Sequence, residues 1–128
     1  MSDSEFVSAF EACTFPPEEF HHREHVRLAW IYLARNPLLE ALTRFAESLR
    51  RFATNAGAAA KYHETITFAF LFLIHERMQR NAAATFDEFA AANADLVTWK
   101  PSVLERYYSS ETLASELARR TFVMPDFR

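Results

Sequence analysis

The sequence predicts an all-α fold, a single-domain helical bundle of four main helices with two or three short helices packed around them. Residues that favour helices, namely Ala, Leu, Glu and Arg, are plentiful. The chain of 128 residues contains 1 glycine, which leaves little material for the tight turns of β-hairpins. Apolar residues also recur at helical spacing. At this length one hydrophobic core is expected, so residues 1–128 are assigned to one helical domain.

Three helices are predicted in the first half of the chain. Ser4 can cap a short helix over residues 5–13. A second helix, over residues 22–35, has so few polar positions that it should be largely buried. Pro37 suits the first position of a third helix, which runs to about residue 54 with its apolar side chains in one stripe.

A fourth helix, apolar on every side, is the central element of the prediction. Residues 66–74 are all apolar except Thr67, and the helix should begin near residues 58–62 and reach about residue 80. Such a helix belongs in the middle of a bundle. Its start carries His63 and Glu64, polar groups whose burial is costly unless they find partners.

The last third of the chain predicts shorter helices. Thr85 with Glu88 three residues later forms a capping box, and Ser109 or Ser110 can cap the final helix. Thr65 and Thr67 of the fourth helix are expected to bond back to backbone carbonyls, although Thr67, one turn after His63, could instead face the same cavity as His63. The predicted helical ranges are 85–93, 95–99, 103–108 and 111–122, followed by an extended tail.

Composition argues against several classes of partner. The net charge of −3 lacks the basic face that phosphate binding needs, so nucleic acid is not expected. The longest apolar run is shorter than the roughly 20 residues of a membrane span. The N-terminus shows no basic start and no apolar segment of a secretion signal. Cys13 is the single cysteine, which fits a reducing compartment. A cytoplasmic, soluble protein is therefore expected.

Four of the five histidines lie in two short windows. On a helix His22 and His25 are spaced i,i+3, and His21 and His25 are spaced i,i+4, so either pair can share a metal ion. His63 is the natural third ligand, which would leave an open coordination position. Glu64 is either a fourth ligand or a base acting on metal-bound water. His22 is preferred over His21, because His21 can still lie in the turn that enters the helix.

A single divalent ion is expected, because no Glu-x-x-His pair recurs on two helices as a di-iron bundle requires. Imidazole and carboxylate ligands suit zinc, iron, nickel or copper. His63-Glu64 begins the H-E-x-x-H motif of zinc peptidases, but Thr67 stands where the second histidine would be. The leading hypothesis is a metalloprotein, and if an enzyme then a hydrolase, a lyase or an oxygen-activating enzyme for a small organic substrate.

Two segments carry a resemblance to other proteins. They read Phe-His-His-Arg-Glu-His-Val-Arg-Leu-Ala-Trp at residues 20–30 and Lys-Tyr-His-Glu-Thr-Ile-Thr at residues 61–67. These segments resemble a group of small all-helical bacterial proteins of uncharacterised function with an H-x-x-H…Y-H-E-T pattern. Residues 108–126 are similar to the same group. The resemblance implies that the histidine windows and the C-terminal Pro-Asp belong to one recurring design, and it supplies no reaction.

Two alternatives need no metal. In the first, the histidines are satisfied inside the core, with His22 and His25 paired to Glu18 or Glu19. The protein is then a helical module whose apolar cavity binds a small-molecule ligand or a partner helix. In the second, the chain is an interaction protein that forms a homo-oligomer through exposed Phe or Leu side chains.

Overall fold

The structure is a computed structural model that describes residues 1–126, and it is all-α as the sequence predicts. Every regular element in that range is a helix. Contacts within the chain separate two compact units, Met1–Tyr62 and a second unit that begins at His63. Each unit is described by itself, and the assignment of the chain to one domain stays a prediction.

The first unit contains three α-helices and two single 3-10 turns. Ser2, not Ser4, caps the first helix, because its hydroxyl accepts from the Glu5 amide at 3.1 Å while the Glu5 carboxylate accepts from the Ser2 amide at 2.9 Å. This reciprocal pair is a capping box. The elements are α1 (Asp3–Glu11), α2 (His22–Arg35) and α3 (Leu38–Asn55), with 3-10 turns at Pro17–Glu19 and Ala59–Lys61.

Phenylalanine side chains form the core of the first unit. Phe10 is fully buried, and its ring stacks on Phe20 at 5.2 Å and on Phe52 at 4.7 Å between ring centroids. Aromatic pairs at such separations add roughly 0.5–1.5 kcal/mol beyond the burial of their area. The stack therefore joins α1, α3 and the segment that leads into α2.

A partly buried polar cluster links the three α-helices of the first unit. The Tyr32 hydroxyl donates to Glu11 Oε2 at 2.5 Å and lies 3.0 Å from Ser48 Oγ. Burial and the bond to Glu11 both raise the pKa of Tyr32. Since the three side chains come from α2, α1 and α3, this cluster fixes the relative position of the helices of the first unit.

The second unit contains one long helix and several short ones. Among residues 63–126, only α4 exceeds two turns. No helix within residues 1–126 is long and apolar enough to cross a membrane. The elements are α4 (Glu64–Arg80), α5 (Phe86–Ala92), α6 (Ala94–Val97), α7 (Ser110–Ala114) and α8 (Glu116–Arg120), with a 3-10 turn at Val103–Arg106.

Three sequence predictions about the second unit are wrong in detail. The start of α4 is Glu64, not residues 58–62, because the chain is extended at Tyr62 and His63. Phe72 of α4 is 42% exposed, so the helix is not buried on every side. The helix predicted over residues 111–122 is broken at Ser115, whose extended backbone ends α7 and whose hydroxyl accepts from the Ala118 amide to begin α8. Serine competes for backbone partners in this way.

An ion-pair cluster joins α4, α6 and the 3-10 turn of the second unit. Arg77 donates to both carboxylate oxygens of Asp95, at 3.0 and 2.8 Å, and to Asn93 Oδ1 at 2.9 Å. Arg106 also donates to Asp95, at 3.1 Å. The bonds from Arg77, with the charges of both arginines, lower the pKa of Asp95 to about 2. The carboxylate is therefore ionised at every physiological pH.

Candidate functional site

The first histidine window lies at the start of α2. His21 precedes the helix with an extended backbone, and its amide donates to Glu24 Oε1 at 2.9 Å. His21 is therefore in the entry turn, as its position in the sequence suggests, and its side chain is exposed. His22 and His25 lie within α2, one turn apart. The structure thus brings these two predicted ligands together in the first unit.

His25 is held against an aromatic ring. Its imidazole lies 4.1 Å from the Phe20 ring, centroid to centroid, with an angle of 38° between the planes. Burial, and after it the positive charge of His22, lower the pKa of His25 to about 4. The ring is therefore neutral at pH 7, and a neutral imidazole is the form that binds a metal ion.

His63 belongs to the second unit, where it is the N-cap residue of α4. Its Nδ1 accepts from the Ile66 amide at 3.1 Å, and its Nε2 lies 2.8 Å from the Leu113 carbonyl oxygen. Since Nδ1 accepts, the proton sits on Nε2, which donates to Leu113. Both nitrogens of His63 are thus engaged inside the second unit, and a metal bound at either one would displace a hydrogen bond.

Glu64 is the first residue of α4 and is partly buried. A carboxylate is stabilised there by the positive end of the helix dipole. Across the part of the chain that the structure describes, no three His, Cys, Asp or Glu side chains form a group that could hold a metal ion. The joint site of His21, His22, His25 and His63, with Glu64 as its base, stays a prediction.

Thr65 has a role that the sequence does not reveal. It is fully buried, and its hydroxyl donates to the Thr121 carbonyl at 2.8 Å and accepts from the Val123 amide at 3.0 Å. The expectation that Thr65 bonds back to a carbonyl of its own helix is wrong, whereas the same expectation for Thr67 is confirmed by its bond to the His63 carbonyl at 2.7 Å. A threonine at the start of a helix gives no signal that distinguishes these two partners.

Tyr108 contacts the same segment as Thr65. Its buried hydroxyl donates to the Val123 carbonyl at 2.7 Å. Thr65 and Tyr108 together bind the backbone of Thr121 and Val123, which lie in the segment 121–126 that we call the C-terminal tail. The pair Thr65 and Tyr108 is called the tail site below.

The end of the tail is held through the side-chain carboxylate of Asp126. Asp126 accepts from the Ser109 amide at 3.0 Å, from the Ser109 hydroxyl at 2.9 Å and from the Thr112 hydroxyl at 2.6 Å. The bonds from Thr112 and Ser109 lower the pKa of Asp126. The tail is therefore fixed at two places, its middle by the tail site and its end by Asp126.

Comparison of the chain with models of protein families, with curated proteins and with solved structures finds no match. Function is therefore inferred from the contacts described above.

Proposed function

We propose that this chain is a metal-free helical binding module of the cytoplasm in which His63 is a structural residue. The proposal rests on one observation, that both ring nitrogens of His63 are hydrogen-bonded to backbone groups. Its Nδ1 caps α4 at Ile66 and its Nε2 binds Leu113. One imidazole thus completes the hydrogen bonding of two backbone groups that would otherwise lack partners.

Each ring nitrogen of His63 can serve either a metal ion or the backbone group that it binds now, but not both. Metal binding at Nδ1 would remove the acceptor of the Ile66 amide, and binding at Nε2 would remove the donor to the Leu113 carbonyl. A partly buried backbone group left without a partner destabilises a fold by roughly 1–3 kcal/mol. The present arrangement has no such loss, which favours a structural role for His63.

Exposed apolar side chains in the second unit supply a surface for binding. Phe72 is 42% exposed, and its ring packs edge-on against Phe122 at a centroid distance of 6.0 Å. Met124, two residues further along the tail, is 72% exposed. Exposed apolar side chains that form a patch are typical of surfaces that bind partners. They support a protein-interaction module over a module that encloses a small molecule.

Elemental analysis tests the proposal directly. Purified chain would be incubated with zinc, iron(II), nickel or copper, desalted and assayed for bound metal, beside His63→Ala and a control variant, His75→Ala. We expect less than stoichiometric metal in all three proteins. The proposal is wrong if the natural chain retains one equivalent of metal that is lost in His63→Ala and kept in His75→Ala.

A second measurement examines the structural role of His63 itself. His63→Asn keeps a good N-cap residue but loses the reach to Leu113, whereas His63→Ala loses both bonds. We expect urea unfolding to rank the natural chain as most stable, His63→Asn as intermediate and His63→Ala as least stable. Equal stability of the three proteins would contradict the structural role.

The metalloprotein is the second candidate, and the pairing of His22 with a neutral His25 on α2 favours it. In that case His22, His25 and His63 would hold one divalent ion, and His63 would first have to release Leu113 or Ile66. The ion would activate water or a small organic substrate, with Glu64 as base. Metal bound to the natural chain and lost in His25→Ala would favour this candidate.

A further inference from the structure

The C-terminal tail is held by three hydrogen bonds to its backbone and by three to the side-chain carboxylate of Asp126. Thr65 binds the Thr121 carbonyl and the Val123 amide, and Tyr108 binds the Val123 carbonyl. Main-chain bonds of this kind hold extended peptides, and the contacts of particular side chains add selectivity for sequence, while other side chains stay outside. The selective contacts here are those of the Asp126 carboxylate and of the Phe122 ring, which packs against Phe72. Met124 is accordingly exposed.

The sequence of the tail suits this mode of binding. Pro125 disfavours helical backbone at Met124, the residue before it, so the end of the tail is biased towards the extended form. Pro125 also has no amide hydrogen that would need a partner. The carboxylate of Asp126 then lies where Ser109 and Thr112 can donate to it.

We propose that the tail site is a peptide-binding site, filled within one copy by its own tail, and that it accepts the same tail from a second copy. The inference rests on the proposed function as a binding module and names its partner. A second copy is the occupant because it carries the sequence that the structure shows to be complementary to Thr65, Tyr108 and the residues that bind Asp126. The same hydrogen bonds form whichever copy supplies the tail.

The tail of the same copy and the tail of a second copy compete for one tail site. A segment tethered by a short connection has an effective concentration in the millimolar range, so the natural chain binds its own tail at ordinary concentrations. Exchange becomes visible when the tail of one copy and the tail site of another are both weakened. The first copy then offers a tail site that its own tail fills poorly, and the second offers a tail that is held only through Asp126.

Two variants separate the copy that supplies the tail site from the copy that supplies the tail. In the tail variant, Val123→Pro removes the amide that Thr65 accepts from, and Asp126→Ala removes the carboxylate, while the tail site is intact. In the site variant, Thr65→Val and Tyr108→Phe remove the two hydroxyls with little change of shape, while the tail is intact. Circular dichroism establishes that both are folded, and Asp126→Ala alone replaces the tail variant if the double substitution unfolds.

The first measurement is fluorescence polarisation with a labelled synthetic peptide of residues 119–126. We expect the peptide to bind the tail variant at least about ten-fold more tightly than the natural chain, whose own tail competes for the site. A peptide in the same composition but scrambled order should not bind. Binding to neither protein, or equal binding of the true and scrambled peptides, would overturn the proposal.

The second measurement is light scattering on the two variants, alone and mixed, at about 0.1 mM, well below the effective concentration of a tethered tail. We expect monomers for each variant alone and a species of twice the mass in the mixture. Peptide binding without that species would overturn the second copy as occupant. Neither result depends on metal content, so a failure here is distinct from a failure of the proposed function.

Discussion

The titration of His25 should make the protein less stable as the pH falls from about 6.5 towards 4. Its pKa is lowered to about 4 in the fold, chiefly by burial, and is near 6.5 in an unfolded chain. The unfolded state therefore takes up the proton first, and stability is lost as the pH falls between those two values. Linkage for this one group gives a loss of roughly 2 kcal/mol between pH 7.5 and pH 5.

The assay is urea unfolding at both pH values, followed by circular dichroism in a buffer that contains a chelator. His25→Phe is the informative variant, because its ring can keep the contact with Phe20 but has no proton to exchange. His21→Phe, at an exposed position, is the control. We expect the loss of stability between the two pH values to be roughly 2 kcal/mol smaller in His25→Phe than in the natural chain or the control. An unchanged loss in His25→Phe would refute the assignment of a neutral imidazole, with a lowered pKa, to His25.

Two further predictions concern the polar clusters of the two units. Tyr32→Phe removes the buried hydroxyl from its two partners and should lower the free energy of unfolding by about 1–2 kcal/mol. The exposed Tyr107→Phe should lower it by less than about 0.5 kcal/mol, and equal effects in urea unfolding would contradict the role of the buried cluster. Asp95→Asn removes the carboxylate that two arginines bind and should destabilise by about 1–2 kcal/mol at pH 7. Glu40→Gln, in an exposed pair on α3, should change stability by about 0.3–0.5 kcal/mol, and a larger effect than that of Asp95→Asn would contradict the role of the ion-pair cluster.

Much of the fold could be predicted because periodicity and capping are local properties. The bounds predicted for α2 are those observed, and those of α3 differ by one residue. The cap at Thr85 is confirmed, because its hydroxyl accepts from the Glu88 amide at 3.2 Å. The predicted capping box is not completed, since the Glu88 carboxylate accepts from the Ala84 amide at 3.0 Å and not from that of Thr85. These features depend on residues a few positions apart, which the sequence displays directly.

The site was harder to predict because it depends on distant partners. His63 bonds to Leu113, 50 positions away, and Thr65 bonds to Val123, 58 positions away. Nothing local tells whether an imidazole at the start of a helix will meet a metal ion or a carbonyl oxygen. The start of α4 was misplaced for a related reason, since the alanines before Tyr62 favour helix but form only a single 3-10 turn.

The break at Ser115 leaves two short helices that should unfold locally before the rest of the second unit. Helices of five residues do not persist in water, so α7 and α8 depend on the surrounding fold for their hydrogen bonds. Amide hydrogens of residues 110–120 should therefore exchange with solvent through small local openings, long before those in the middle of α4. A protease that probes the native protein would be expected to make its first cut in that same stretch.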